Sequence, residues 1–213
     1  SYGRDDGLGN LALYGLLQDS RGALWASTEG GLYREVQRVT DPVLPVERYA
    51  AAAETPDGSL YVVSARGLFR HRRGRWTRVA IDDPRAQRGV SAVASGPDGS
   101  LWLGGMMPGL LQVAPDGDRT RTLSWWTSPS ISSEQILFLR FDRRGWLWVG
   151  TDRGVDVFNG ARWRHLAQTD RLLWDDLGEG AFLADYDGTV WFGTSRGLSH
   201  LLRPELLFDP PRL

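Results

Sequence analysis

Short runs of apolar or alternating residues recur along the chain, and each run ends in a polar turn. The runs are Leu13–Leu17, Tyr49–Ala53, Val90–Ala94, Ile136–Phe141 and Ala181–Ala184. Runs of this length, bounded by turn residues, predict β-strands rather than helices. The turn that follows has Asp at its first or third position and Gly at its close. Because Asp can accept hydrogen bonds from its own turn and Gly adopts a positive φ without a clash, each site predicts a tight turn.

The turn glycines mark five copies of one pattern. They are Gly22, Gly58, Gly99, Gly145 and Gly188, within the segments DSRGALWAST, TPDGSLYVVS, GPDGSLWLGG, DRRGWLWVGT and DYDGTVWFGT. A second glycine in each copy opens GLYR, GLFR, GLLQ, GVDV or GLSH, which predicts a third strand. Hairpin signals such as Arg73-Gly74 and Asn159-Gly160 then lead to a fourth, outer strand. Four short antiparallel strands in roughly 40 residues are typical of a propeller blade.

The sequence therefore predicts an all-β chain, a β-propeller of four-stranded antiparallel blades. The five repeats lie near residues 1–46, 47–80, 81–127, 128–168 and 169–203. One position in every copy is aromatic, and we expect it to pack between neighbouring blades: Trp25, Tyr61, Trp102, Trp148 and Trp191. Two arrangements remain open at this point. The five blades are either a fragment of a larger ring or a complete five-bladed ring.

The composition of the chain excludes several classes of binding partner and several kinds of site. The net charge of −1 gives no electrostatic basis for binding nucleic acid or an anionic membrane surface. The absence of cysteine excludes disulfides and thiolate metal sites, and no apolar run has the length of a membrane span. The three histidines fall in outer strands of different copies, at His71, His165 and His200. Because those positions point away from the propeller axis, we expect no catalytic residue, metal or cofactor in this chain.

The repeats resemble a known family. DSRGALWASTEGGLYR, DRRGWLWVGTDRGVDVF and DYDGTVWFGTSRGLSH are similar to the two-component regulator propeller repeat, and DDGLGN at 5–10 is similar to the segment that commonly enters it. The resemblance covers about residues 1–202 and is looser in the second and third copies. Such propellers usually have more than five blades, commonly seven, which favours the fragment. Residues 204–213 resemble an exit segment toward a following β-sandwich domain.

The resemblance also implies a function. Propellers of this family are typically the periplasmic sensing part of bacterial membrane receptors, whose output domains are histidine kinases or diguanylate cyclases. By resemblance, we expect a non-catalytic, periplasmic module that recognises a small molecule or carbohydrate signal, with dimerisation through the parent receptor. The alternatives are a protein-interaction scaffold and, less favoured, a propeller enzyme such as a lyase or hydrolase.

Ligand-binding residues are expected in loops, because the blades of a propeller are rigid and its loops vary. The loops joining the second and third strands share a face with the loops between blades. Three of these loops carry Arg before the turn Gly, so we predict that Arg66, Arg153 and Arg196 converge on a carboxylate, phosphate or acidic sugar. The alternative is that each Arg is solvated or paired with a neighbouring acid. The remaining candidates on this face are Glu29, Met106, Met107, Asp152, Ser195 and Trp174.

Overall fold

The computed structural model describes residues 12–87 and 89–209, which form four blades of four strands and a fifth blade of three strands. Residues 5–10, predicted to enter the first repeat, and residues 210–213 lie outside the described residues. The first blade contains β1 (Leu13–Gln18), β2 (Leu24–Thr28), β3 (Gly31–Arg34) and β4 (Gln37–Arg38). The second contains β5 (Tyr49–Glu54), β6 (Leu60–Ser64), β7 (Gly67–Arg72) and β8 (Arg75–Ile81).

The later blades follow the same order. The third contains β9 (Val90–Ser95), β10 (Leu101–Gly105), β11 (Leu110–Asp116) and β12 (Arg119–Trp126), and the fourth contains β13 (Ile136–Phe141), β14 (Leu147–Thr151), β15 (Gly154–Phe158) and β16 (Trp163–Leu166). The fifth contains β17 (Leu177–Ala184), β18 (Val190–Thr194) and β19 (Gly197–Leu201). Within each blade consecutive strands pair antiparallel, which confirms the predicted all-β propeller class.

The turn that opens each repeat forms for the predicted reason. Its closing glycine has a positive φ in all five copies, between 76° and 88° at Gly22, Gly58, Gly99, Gly145 and Gly188. In the first copy, Asp19 Oδ1 accepts the N–H groups of Arg21 and Ala23 at 3.0 and 2.8 Å. Its second oxygen accepts the indole N–H of Trp25 at 2.9 Å. The same carboxylate therefore closes the turn and orients the packing aromatic.

The repeated aromatic side chain fills the space between blades, as predicted. Trp148 is fully buried, and its ring lies 5.7 and 5.6 Å from the rings of Phe182 and Phe192 in the fifth blade. Trp25 contacts His71 and Trp76 of the second blade in the same way. An aromatic residue at such a seam buries roughly 150–250 Å².

The fifth blade lacks such a partner among the described residues. Trp191 stacks on His200 of its own blade, with ring centroids 3.5 Å apart, and remains only partly buried. On the same face, Leu183 and Leu198 are 56% and 60% exposed. An apolar sheet face of this kind is normally covered. A fragment of a larger propeller therefore fits the structure.

Three further features describe how the blades are arranged. The outer strands β8 and β12 pair in parallel, Ala80 with Arg119 and Ile81 with Thr120, so the second and third blades form one eight-stranded sheet. The inner strands β1, β5, β9, β13 and β17 all contribute to the wall of one axial cavity of about 60 Å³. After β19, the 3-10 turn Pro204–Phe208 packs against the fourth blade. There the ring of Phe208 contacts that of Trp146 edge-on, with ring centroids 4.9 Å apart.

Candidate ligand-binding face

The loops between second and third strands lie beside the loops between blades, as the repeat pattern predicts. Backbone hydrogen bonds join the two sets of loops in several blades. Met106 N donates to Gly89 O at 2.7 Å, and Ser195 N donates to Asp176 O at 3.1 Å. Glu29 N donates to Ala12 O at 3.1 Å in the first blade. We call the surface formed by these two sets of loops the loop face.

A hydroxyl side chain sets the conformation of most of these loops. Thr151 Oγ1 accepts the N–H of Arg153 at 3.0 Å and donates to Gly154 O at 2.9 Å. In the same manner, Thr194 Oγ1 accepts the N–H of Arg196 at 3.2 Å, and Ser64 Oγ accepts the N–H of Arg66 at 3.2 Å. The three arginines therefore occupy equivalent backbone positions in the second, fourth and fifth blades.

Their side chains have different neighbours. Arg66 Nε lies 3.2 Å from Glu47 Oε2, so one arginine is paired with an inter-blade acid, as the alternative interpretation requires. The guanidinium of Arg196 lies 3.5 Å from the centre of the Trp174 ring, a cation–π contact. Asp152, Arg153 and Ser195 are exposed. The face thus brings Trp174 and Arg196 together, whereas Arg66 has a separate acidic partner.

The two neighbouring methionines of the third blade differ in exposure. Met106 is 71% exposed and lies at the edge of the axial cavity. Met107 is 2% exposed and packs in the core shared by the second and third blades, with Leu68 and Val93 among its cluster. The prediction that Met107 contributes to the face is therefore wrong, since its side chain points into the protein. Of the two methionines, Met106 alone can therefore offer apolar surface to a protein partner, as the scaffold alternative would require.

Glu29 takes part in a polar network that crosses the loop face. The Tyr14 hydroxyl donates to Glu29 Oε2 at 2.7 Å, and this hydrogen bond raises the pKa of Tyr14. The guanidinium of Arg48 lies 3.7 Å from the centre of the Tyr14 ring and also bonds Glu179 Oε2 at 2.5 Å. The network joins the first, second and fifth blades beside the axial cavity. Sequence periodicity gave no sign of it, because Arg48 and Glu179 lie outside the repeated positions.

A second polar cluster surrounds Asp156, which is 2% exposed. Its carboxylate accepts the N–H and the hydroxyl of Ser132 at 2.7 and 2.8 Å. His165 Nδ1 lies 2.8 Å from the other oxygen. Ser132 Oγ also lies 3.1 Å from Thr151 Oγ1. The cluster therefore fastens the loop before β13 to the fourth blade.

Besides Glu179, the axial cavity is lined by a second charged group that the sequence did not predict. Arg140, on β13, lines the cavity and is partly buried. Its Nη1 donates to Leu139 O at 2.9 Å, and burial lowers its pKa. Aligning the five copies would have revealed it, because Arg140 takes a position that is apolar in the other four.

Neither metal chemistry nor a membrane span is evident in the part of the chain that the structure describes. Residues 12–87 and 89–209 contain no group of three or more His, Asp or Glu side chains arranged to hold a metal ion. The same residues include no helix that is long and apolar enough to cross a membrane.

Comparison with known proteins gives structural neighbours only. No protein-family model matches the sequence, and no curated protein matches it. The extracellular domain of the putative one-component system BT4673 from B. thetaiotaomicron superposes with a TM-score of 0.72 at 18% identity, over 92% of this chain and 30% of that domain. The chain thus spans under a third of that neighbour.

Two enzyme structures are also similar. XC5397, a gluconolactonase from Xanthomonas campestris, has a TM-score of 0.61 at 17% identity, over 89% of this chain and 71% of that one. The catalytically inactive H270A virginiamycin B lyase from Staphylococcus aureus, with quinupristin, has a TM-score of 0.64 at 13% identity, over 88% and 64%. At such identities the likeness establishes the fold.

Proposed function

We propose that this chain is the ligand-sensing propeller module of an extracytoplasmic bacterial receptor, which controls an attached kinase or diguanylate cyclase. Two observations support it. The repeats resemble those of two-component regulator propellers, and the extracellular domain of BT4673 shares the fold over 92% of this chain. We further propose that the module is non-catalytic and periplasmic.

The observation that carries the proposal is the loop face itself. Its variable loops are held on a rigid scaffold and present Arg153, Arg196 and the half-buried ring of Trp174 to solvent. Exposed guanidinium groups beside an aromatic ring suit a small anionic or sugar-like signal, because Arg binds carboxylates bidentately and an aromatic ring offers an apolar surface. Ligand binding would shift the population of receptor arrangements and so change the output.

The test is a combined substitution in the complete receptor. Replacing Arg66, Arg153 and Arg196 together with Ala is expected to abolish the response to an anionic signal, measured as kinase phosphorylation or cyclic dinucleotide production. The matched control replaces the exposed arginines Arg21, Arg75 and Arg121, which removes the same charge away from the loop face. An unchanged response in the first variant, or an equal loss in the control, would refute the role of this face.

An enzyme remains the second candidate, because one observation favours it. The buried carboxylate of Asp156 orients His165, and an oriented imidazole is a common general base. In the virginiamycin B lyase neighbour, a histidine-to-alanine variant is catalytically inactive. We rank this second because His165 lies on the outermost strand of its blade, away from the axial cavity. Turnover of a lactone or streptogramin B by the purified chain, lost in His165→Ala, would reverse the ranking.

A further inference from the structure

Arg140 occupies a position where the repeats otherwise place apolar residues. In each blade, this position on the inner strand pairs with the repeated aromatic residue of the next strand, and Arg140 pairs with Trp148. The equivalent residues of the other blades are Leu17, Ala53, Ala94 and Leu183. A charged side chain among apolar equivalents disfavours folding, since a buried charge loses its hydration. Its presence therefore calls for a role other than blade packing.

The surroundings leave this charge uncompensated. Burial lowers the pKa of Arg140, yet a guanidinium stays charged at neutral pH. Within residues 12–87 and 89–209, the structure gives the side chain one hydrogen bond, to the carbonyl of Leu139, and no ion pair. The acid that lines the same cavity, Glu179, is already bonded to Arg48. An arginine with no carboxylate partner in a partly desolvated cavity is suited to bind an anion.

We propose that Arg140 binds a carboxylate group of the ligand inside the axial cavity. The proposal rests on the proposed sensing function and names the chemical class that the module recognises. Nη1 of Arg140 donates to Leu139 O. Nε and Nη2, which point to the same side of the guanidinium group, remain available to donate hydrogen bonds to a ligand. That side matches the two oxygens of a carboxylate. The cavity volume of about 60 Å³ admits such a group but not a whole sugar ring, so the remainder of the ligand would lie outside the cavity.

The experiment compares small anions on the purified 213-residue chain. Acetate and citrate probe carboxylate binding, and inorganic phosphate and sulfate probe a tetrahedral oxyanion, with sodium chloride at equal ionic strength as the baseline. Binding is measured by isothermal titration and by the fluorescence of the tryptophans, since Trp148 neighbours Arg140 across the strand pair. The test variant is Arg140→Leu, which restores the residue found at the equivalent position in two other blades. The control is Arg121→Leu, an exposed arginine on an outer strand.

We expect the carboxylates to bind the unaltered chain and Arg121→Leu alike, and to bind Arg140→Leu roughly tenfold to a hundredfold more weakly, the range for a charge-assisted hydrogen bond. We also expect Arg140→Leu to melt at a higher temperature, because it removes a desolvated charge. Should Leu prevent folding, Arg140→Gln, which keeps a polar side chain but removes the charge, must show the same loss. Equal binding by all variants, or binding of phosphate and sulfate in preference to carboxylates, overturns the proposal.

The outcome is separable from that of the sensing function. Carboxylate binding that depends on Arg140, with unaltered output from the Arg140→Leu receptor, would support the site and refute its role in sensing. A receptor that responds through the loop face to a neutral compound, while the chain binds no carboxylate, would support the sensing function and refute the Arg140 site.

Discussion

Replacing Asp83 with Asn is expected to destabilise the protein by an amount that depends on pH. Asp83 is 6% exposed and lies in the loop between the second and third blades, directly before the 3-10 turn Pro84–Ala86. Its carboxylate accepts Arg85 Nε and Nη2 at 2.8 and 2.6 Å, the Arg85 N–H at 3.0 Å, and the Thr122 hydroxyl at 3.2 Å. Chiefly through the hydrogen bonds from the Arg85 side chain, its pKa falls from 3.8 to about 2.

The magnitude follows from that shift. One pKa unit corresponds to about 1.4 kcal/mol, so the ionised carboxylate stabilises the folded state by about 2 kcal/mol. Half of Arg85 is in contact with solvent, which makes this an upper value. Because the pKa in the folded state lies below that in the unfolded chain, the stabilisation is complete above about pH 5. It is lost as the pH falls from about 4 toward 2.

The assay is urea unfolding followed by tryptophan fluorescence at pH 7, 5 and 3. At pH 7, Asp83→Asn should lower the free energy of unfolding by about 1–2 kcal/mol, and the difference from the unaltered chain should shrink at pH 3. The neighbouring Asp82→Asn is the control. Asp82 makes an exposed ion pair with Arg119, which contributes at most about 1 kcal/mol. A pH-independent loss at Asp83, or a loss no larger than that at Asp82, would refute the reasoning.

Two further substitutions test how the blades and the loop face are held. Gly150→Ala places a Cβ against the ring of buried Phe138, so we expect a loss of about 2–3 kcal/mol by thermal unfolding, whereas Gly15→Ala, whose nearest contact would be at 3.8 Å, should cost little. Asp156→Asn removes the charged acceptor of the two Ser132 hydrogen bonds, so amide exchange in residues 128–135 should accelerate, with exposed Asp116→Asn leaving it unchanged. Unaltered exchange after Asp156→Asn would show that the loop is held by other contacts.

The sequence predicted those parts of the molecule that repeat. Turn glycines, packing aromatics and strand order recur five times, so each copy supports the interpretation of the others. The loop face followed from the same periodicity, and Met106 lies on it as predicted. The same argument failed at Met107, because the third copy replaces the loop hydroxyl with Gly105 and its loop turns one methionine inward.

Features that depend on contacts between distant residues could not be predicted in this way. Trp126 lies outside the repeated aromatic position, yet it stacks on Trp102 with ring centroids 4.6 Å apart. The pairing of Arg48 with Glu179 joins residues of different blades that no local pattern relates. Arg140 was different, since its departure from the repeat was visible in the sequence and only its desolvation required the structure.

From the parallel pairing of β8 with β12, we expect the stiffness of the propeller to be uneven around its axis. Backbone pairing over two residue pairs joins the second and third blades, whereas no shared sheet joins any other two blades among residues 12–87 and 89–209. Side-chain contacts between blades slide more readily than a strand ladder opens. Any displacement of the blades is therefore expected to concentrate at the other seams, among them the one between the fourth and fifth blades, where Arg140 lies.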